Sequence, residues 1–271
     1  MVCHYTSFET FLKILNGIKT FNGKKFLELY ATHIDKVNDP TEMKISKKQF
    51  LELLRFYEKK YKVERSRSLA DKVASFDETK FQRVCDFERS EHAPYITCFS
   101  KKDDFIPMWS LYGDKAHGVC LGFTENIGSE VVEGGCEPVL FGEVAYGDYR
   151  KSDSIRRVFE FYYNYIWRKC DDNTENIVQE MYFVMSPFIK NNAYKYENEY
   201  RMCLYNFKGD ADGTSYDKDQ VHVPLHIPLT SLKEVVLGTK LPSEITENML
   251  VRYFEENGYN IPIKRSEIPF R

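Results

Sequence analysis

The sequence predicts an α+β fold, a mainly antiparallel sheet interrupted by two blocks of helix. Short apolar runs of strand character, such as "PYITCFS", "GVCLGF" and "EYRMCLY", recur without a regular strand–helix–strand rhythm. Residues near 42–92 and 153–190 carry helical periodicity instead, clearest in "FLELLRFYEKKY" and "SIRRVFEFYYNYIWRKC". No repeat, low-complexity tract or long linker divides the 271 residues, so 1–271 reads as a single domain.

The elements follow in order. "HYTSFETFLKILNG" begins extended and turns into a helix. Thr6 with Glu9 fits a capping box, Phe8, Phe11, Leu12 and Leu15 form its apolar stripe, and Gly17 stops it. "KFLELYA" is a strand leading into the loop "THIDKVNDPTE", where Asn38-Asp39-Pro40 signals a turn and Glu42 suits a first helical turn. After the first helical block come the strand "PYITCFS", the segment "KKDDFIPMWSLYGDKAH", and the strands "GVCLGF" and "EPVLFGEVAYG". The second block ends with "TENIVQEMYFVMSPFIK". The strands "NEYRMCLYNF", "VHVPLHIPL" and "LKEVVLG", the capped helix "PSEITENMLVRYFEENG" and a short strand "YNIPIKR" complete the chain.

A net charge of -3 and a pI near 6.1 supply no global attraction to nucleic acid or anionic lipid, while leaving room for a local basic groove. The 7 cysteines form no C-x-x-C pair and several sit in apolar runs, which suits reduced core thiols in the cytoplasm. "MVCHYTSFET" has no signal-peptide character, and no apolar stretch approaches the ~20 residues of a membrane span. The expectation is a soluble, cytoplasmic protein with no membrane partner.

Familiar catalytic motifs are absent, and the histidines lack metal-ligand spacing. His222 and His226 are four apart, but Pro224 and Pro228 keep them off a common helical turn. The stretch "KNNAYKYENEYRM" is the sharpest feature. In a strand, Glu197, Glu199 and Arg201 share one face, while Tyr196, Tyr200 and Met202 point into a core. That row is either a solvated face or an active site. Three other stretches are unusual for scaffold: "HYTS", with His4 at the end of a first strand; "NDPTE", itself a strong turn signal; and "CFSKKDDFIPMWSLYGDKAHGVCLGF". In the last, Ser100 follows a strand, and Trp109 and Tyr112 lie three apart on a helical turn, where such aromatics are more often core than cofactor stack.

Taken together, His4-Tyr5-Thr6-Ser7, Asn38-Asp39-Pro40 with Glu42, Cys98-Phe99-Ser100, Met108-Trp109 with Tyr112, and Glu197-x-Glu199-x-Arg201 resemble a large bacterial family labelled a domain of unknown function. That family's arrangement is similar to the ADP-ribosyltransferase fold, a split sheet around a cleft that binds NAD as a substrate. "HYTSFETFLKILNGIK" also looks like the start of toxin-type enzymes that ADP-ribosylate nucleic acid. The resemblance implies Glu199, Glu197 and His4 as catalytic residues, and His4, Tyr5, Thr6, Asn38, Ser100, Trp109, Tyr112 and Arg201 as NAD contacts. Ser100, Tyr30 and Tyr112 are all open for the middle motif position. It also implies a macromolecular acceptor, nucleic acid or protein, and an antitoxin or immunity partner for a toxin or phage-defence effector.

The chemistry suits such residues. Cleavage of the nicotinamide–ribose bond passes through an oxocarbenium-like state, which a rigid carboxylate facing the developing charge stabilises more than the ground state. A histidine at the strand edge would bond the adenosine-side ribose, and Tyr112 or Tyr5 would stack on nicotinamide. Arg201 would keep the carboxylates ionised and oriented, its loss hurting less than that of Glu199. His4, Ser100, Tyr112 and Glu199 are therefore expected to converge on one cleft. The competing readings are a non-catalytic nucleotide or nucleic-acid binding module, and a metal-assisted nuclease using Asp39, Glu42, Glu197 and Glu199.

Overall fold

Ser7 ends the first strand, β1 (Val2–Thr6), and starts the first helix, α1 (Phe8–Asn16), by accepting a hydrogen bond from the Thr10 amide at 3.1 Å. The cap lies one residue beyond the Thr6 expected from the sequence, because Thr6 is still paired with Val119 in the sheet. The computed structural model describes residues 1–37, 44–86, 94–127, 139–163, 173–205 and 221–269. Asn38, Asp39, Pro40 and Glu42 lie outside these residues.

A hairpin of β2 (Lys19–Phe21) and β3 (Lys24–His33) follows α1. Helices α2 (Lys47–Tyr61), α3 (Leu69–Ala74) and α4 (Glu78–Val84) lead to β4 (Tyr95–Ser100), then α5 (Ile106–Leu111) and β5 (Val119–Phe123). Next come β6 (Val139–Glu143), β7 (Ala145–Tyr146), α6 (Asp153–Phe161), α7 (Thr174–Met185), β8 (Ile189–Lys190) and β9 (Glu199–Leu204). The chain closes with β10 (His222–Pro228), β11 (Leu232–Leu237), α8 (Glu244–Glu256) and β12 (Ile263–Arg265). The α+β class stands, with a curled, half-barrel sheet.

The main sheet has 10 strands in the order β10-β3-β4-β1-β5-β11-β12, with β2 on β3 and β9 between β4 and β6. All its pairings are antiparallel except β11–β12. Among the described strands β10 pairs with β3 alone, an edge position that tolerates Pro224 and Pro228.

One strand has three neighbours. β9 runs along the whole of one edge of β4, from Tyr95↔Leu204 to Ser100↔Glu199. The other edge is shared: Thr32 and His33 of β3 pair at the start of β4, and Cys3 of β1 pairs at its end. Between these contacts β1 and β3 part, and the sheet forks. Backbone groups at a fork need other partners. Two are supplied by side chains: the Thr97 hydroxyl donates to the Tyr30 carbonyl at 3.1 Å, and His4 Nδ1 lies 3.2 Å from the Cys98 carbonyl.

Helices cover both faces. Side chains of α1 and α8, including Phe11, Ile14, Leu15, Leu250 and Phe254, pack against Leu27, Leu29, Tyr200 and Met202. On the opposite face the two helical blocks, far apart in sequence, merge into one layer. Tyr57 of α2 stacks on Phe159 of α6 with ring centroids 4.3 Å apart, and Tyr163 donates to Glu58 at 2.6 Å. The apolar stripes that made these blocks legible as helices are buried against each other and the sheet.

The connection from α5 to β5 is held by close backbone approach. A Cβ on Gly118 would lie 2.1 Å from the Thr6 carbonyl oxygen, and one on Gly238 would lie 2.2 Å from that of Ala116. Gly238 N donates to Gly118 O at 3.0 Å, so the two glycines fix the same junction. Gly118→Ala is expected to cost about 2 kcal/mol or more, since rigid backbone must shift to admit the methyl group. Urea denaturation measures this, and a variant as stable as the parent would show that the junction yields freely.

Candidate active site

The site is built where the chain leaves the second helical block. After α7, "SPFIK" carries it to β8, which lies parallel to β7 with Tyr146 opposite Lys190. Residues Asn192–Glu197 then wind as a 3-10 segment, and Asn198 takes a left-handed conformation (φ 47°) that asparagine tolerates. Only then does β9 begin, so Glu197 is not part of the strand. Tyr196, expected in the core, is 38% exposed on the 3-10 segment, because strand alternation has not started there.

From Glu199 onward the alternation holds. Tyr200, Met202 and Leu204 enter the core shared with α1 and α8, and Glu199 and Arg201 point to the other face. That face is not solvated: Glu197 is 2%, Glu199 5%, Arg201 0% and Lys190 3% exposed. Lys190 Nζ lies 2.5 Å from Glu197 Oε2 and 3.4 Å from Glu199 Oε1. Arg201 Nη2 lies 2.5 Å from Glu199 Oε2, and its Nη1 donates to the Pro187 carbonyl at 2.7 Å. Buried charges persist only when paired and hydrogen-bonded, and here two carboxylates meet two cations. The Glu199 amide donates to the Tyr146 hydroxyl at 2.9 Å. Burial, followed by the charge of Glu199, pushes the Tyr146 phenol up and keeps it neutral.

A cavity of about 330 Å³ opens beside these groups at the fork, at the small end of the usual range for ligand pockets. β4 and β9 supply its floor, with Ser100, Glu199 and Arg201, and Lys190 adjoins them. β1 and α5 supply one wall, with Cys3, Tyr5, Met108 and Tyr112. The other wall comes from β3, the turn after it and β10, with Tyr30, Thr32, Lys36 and His222. His4, Ser100, Tyr112 and Glu199, drawn from separate parts of the chain, thus border one cavity.

His4 reaches it by an unusual route. Cys3 pairs with Ser100, and Ser100 with Glu199, so strand alternation directs His4 away from the face that carries Glu199. Its ring does lie against Phe99 of that opposite face, with centroids 5.6 Å apart. The gap between β1 and β3 nonetheless brings the imidazole to the cavity. Since a carbonyl only accepts, the contact with Cys98 makes Nδ1 the protonated nitrogen and leaves Nε2 as an acceptor while the ring is neutral. Desolvation lowers the His4 pKa from its ordinary 6.5, opposed by the bond to Cys98.

A lowered folded value means that the unfolded chain takes up this proton first. Stability is therefore complete above about pH 6.5 and declines as the pH falls from there to the folded value. His4→Gln keeps a donor for Cys98 but does not titrate, so its stability should fall less steeply than the parent's below pH 6.5. Chemical denaturation at a series of pH values checks this, and parallel curves would place the acid sensitivity elsewhere.

The remaining expected residues divide. The Ser100 hydroxyl donates to the Glu197 carbonyl at 2.8 Å and accepts from the Lys102 amide at 3.1 Å, so it ties β4 to the turn before β9. The Tyr5 hydroxyl is likewise held, between the Lys102 carbonyl and the Phe105 amide. Tyr112, 39% exposed, is the more available ring, and burial, followed by the charge of Glu197, pushes its phenol up. Trp109 does not reach the cavity. It is fully buried, edge-on to Tyr5 at 5.1 Å, with its indole N–H on Asp104 at 2.9 Å, which makes it a core side chain. Thr6 is buried outside the cavity lining, and Asn38 lies outside the described residues.

Sequence reasoning missed Lys190, Thr32 and Lys36, and weighed His222 only as a metal ligand. Lys190 heads the stretch that drew attention to Glu197, directly after the apolar run "FVMSPFI", a signal that this lysine arrives from the core rather than the surface. Among the described residues no three His, Cys, Asp or Glu side chains group as metal ligands, and Glu197 and Glu199 are held by cations of the chain itself. Cys3, Cys85, Cys120 and Cys203 are buried free thiols, while Cys98 is half-buried at the cavity. No helix among the described residues is long and apolar enough to cross a membrane.

Fold and site together define an α+β protein with a forked sheet and a buried, ion-paired carboxylate site at the fork. Within it, residues 108–202 match the model of a family described as "Protein of unknown function (DUF2971)", a span from Met108 on the cavity wall through Lys190, Glu197, Glu199 and Arg201. No curated protein and no solved structure matches the chain.

Proposed function

We propose that the chain is an NAD-consuming ADP-ribosyltransferase that transfers ADP-ribose to a nucleic-acid or protein acceptor. The supporting observation is the fork at β4, which gathers His4, Tyr112 and a buried Glu199 around one cavity although they are far apart in sequence. Glu199 would bond the ribose hydroxyls and face the positive charge that develops as nicotinamide leaves. Each of its oxygens has two lone pairs, so the bonds to Lys190 and Arg201 leave acceptor capacity. His4, neutral with Nε2 as an acceptor, would take a hydroxyl of the second ribose, and Tyr112 would stack on nicotinamide.

The resemblance of the opening stretch to toxin-type enzymes supports a role as a toxin or phage-defence effector, with an antitoxin or immunity partner. One observation favours a second reading, a nucleotide-binding module without turnover: Glu197 and Glu199 are both ion-paired, as scaffold carboxylates commonly are. Release of nicotinamide from NAD by the purified protein decides between them. Release that depends on Glu199 supports the transferase, and tight NAD binding with no release supports the module.

A further inference from the structure

The two walls of the cavity differ in chemistry. The β1–α5 wall is apolar and aromatic, with Cys3, Met108 and Tyr112, while the β3–β10 wall carries Thr32, Lys36 and His222. Glu199 is the only acid bordering the cavity among the described residues, and Arg201 and Lys190 hold it. Glu28, on the same face of β3 as Thr32, does not border the cavity and is engaged by Tyr30 at 3.0 Å and His226 at 3.3 Å. Lys36 is exposed at the cavity and makes no hydrogen bond or ion pair with the other described residues. Beside it, Thr32 Oγ1 lies 3.2 Å from His222 Nδ1, placing a hydroxyl and an imidazole on the same wall.

We infer that the β3–β10 wall is a phosphate-binding arm centred on Lys36, so that the ligand is a pyrophosphate-bearing nucleotide lying across the fork with its phosphates toward Lys36, Thr32 and His222. The placing of its ribose at Glu199 rests on the proposed function; the phosphate arm does not. The floor is charge-balanced and the opposite wall apolar, so the exposed cation sets the direction in which a polyanion enters. A lysine is suited to this task as a point charge with three donors, without fixed bidentate geometry.

The test compares two probes by calorimetry: ADP-ribose, which carries the pyrophosphate, and nicotinamide riboside, which lacks it. Lys36→Gln is expected to weaken ADP-ribose binding by about tenfold or more and to reduce its salt dependence, while nicotinamide riboside binding stays within about twofold. Thr32→Val should act in the same direction with a smaller effect. Lys36 is exposed, so the variant is expected to fold, and a melting curve verifies it. Equal weakening of both probes, no weakening of either, or a parent protein that does not bind ADP-ribose overturns the inference. Lys36-dependent binding of ADP-ribose without nicotinamide release from NAD overturns the transferase alone. Nicotinamide release with a KM for NAD unchanged by Lys36→Gln overturns the phosphate arm alone.

Discussion

Glu199→Gln is expected to reduce NAD turnover at least a hundredfold and to destabilise the fold in the same stroke. The isosteric change preserves shape and removes the negative charge that would stabilise the oxocarbenium-like state. Such electrostatic stabilisation is worth about 2.7 kcal/mol or more. The geometry adds a second effect. Arg201 is fully buried and Lys190 nearly so, and Glu199 is bonded to both. Removing one partner of a buried pair leaves an uncompensated charge, at a cost of about 3–5 kcal/mol. A surface carboxylate would change stability by no more than about 0.5 kcal/mol. Nicotinamide release has to be measured at a temperature where circular dichroism shows the variant folded. A folded Glu199→Gln protein with parental turnover would return the carboxylate to a purely structural role, and parental stability would contradict the buried pair.

The largest effect on folding should come from Arg201→Met. The sequence suggested an auxiliary partner whose loss matters less than that of Glu199, but the guanidinium also bonds the Pro187 carbonyl and joins β9 to the turn before β8. Its removal strands Glu199 beside a single lysine at 3.4 Å and leaves the Pro187 carbonyl without this donor. The expected loss is about 3–5 kcal/mol, a large share of the stability of a typical domain. The pair also makes a thermodynamic cycle. In Arg201→Met with Glu199→Gln both charges are gone, so the double variant should be more stable than the sum of the single losses predicts, with a coupling of about 0.5–3 kcal/mol. Strict additivity in urea titrations would mean that the two side chains do not interact in solution.

Much of this architecture is legible in the sequence. Helical periodicity in "FLELLRFYEKKY" and strand character in "EYRMCLY" match α2 and β9, because burial in each element is set by its own repeat. The convergence of His4, Ser100, Tyr112 and Glu199 came from the resemblance, not from periodicity. What local patterns could not supply was anything created by long-range pairing. The merging of two separate helical blocks into one layer is one such feature, and the three neighbours of β4 are another. The placement of Lys36 and His222 on one wall depends on the pairing of β10 with β3, where His222 stands opposite Thr32. That Trp109 is buried while Tyr112 borders the cavity has the same origin, since three-residue spacing puts the two near one another but does not say which of them the sheet covers. Glu197 was assigned to a strand because alternation in "YENEYRM" extends one residue pair beyond the point where Asn198 breaks the extended chain.

The fork also bears on the mechanics of the cavity. An intact ladder widens only by breaking main-chain hydrogen bonds in series, whereas beyond the last ladder pairs each parting strand is tied to β4 by a side chain, β3 through Thr97–Tyr30 and β1 through His4–Cys98. Each such bond contributes about 1 kcal/mol, so releasing both falls within what ligand binding readily supplies. Thr97 and His4 therefore hold β3 and β1 to β4 where the main-chain ladder stops. β4 and β9 are paired along the whole of their length, so the position of Glu199 is set by main-chain bonds and not by these two ties.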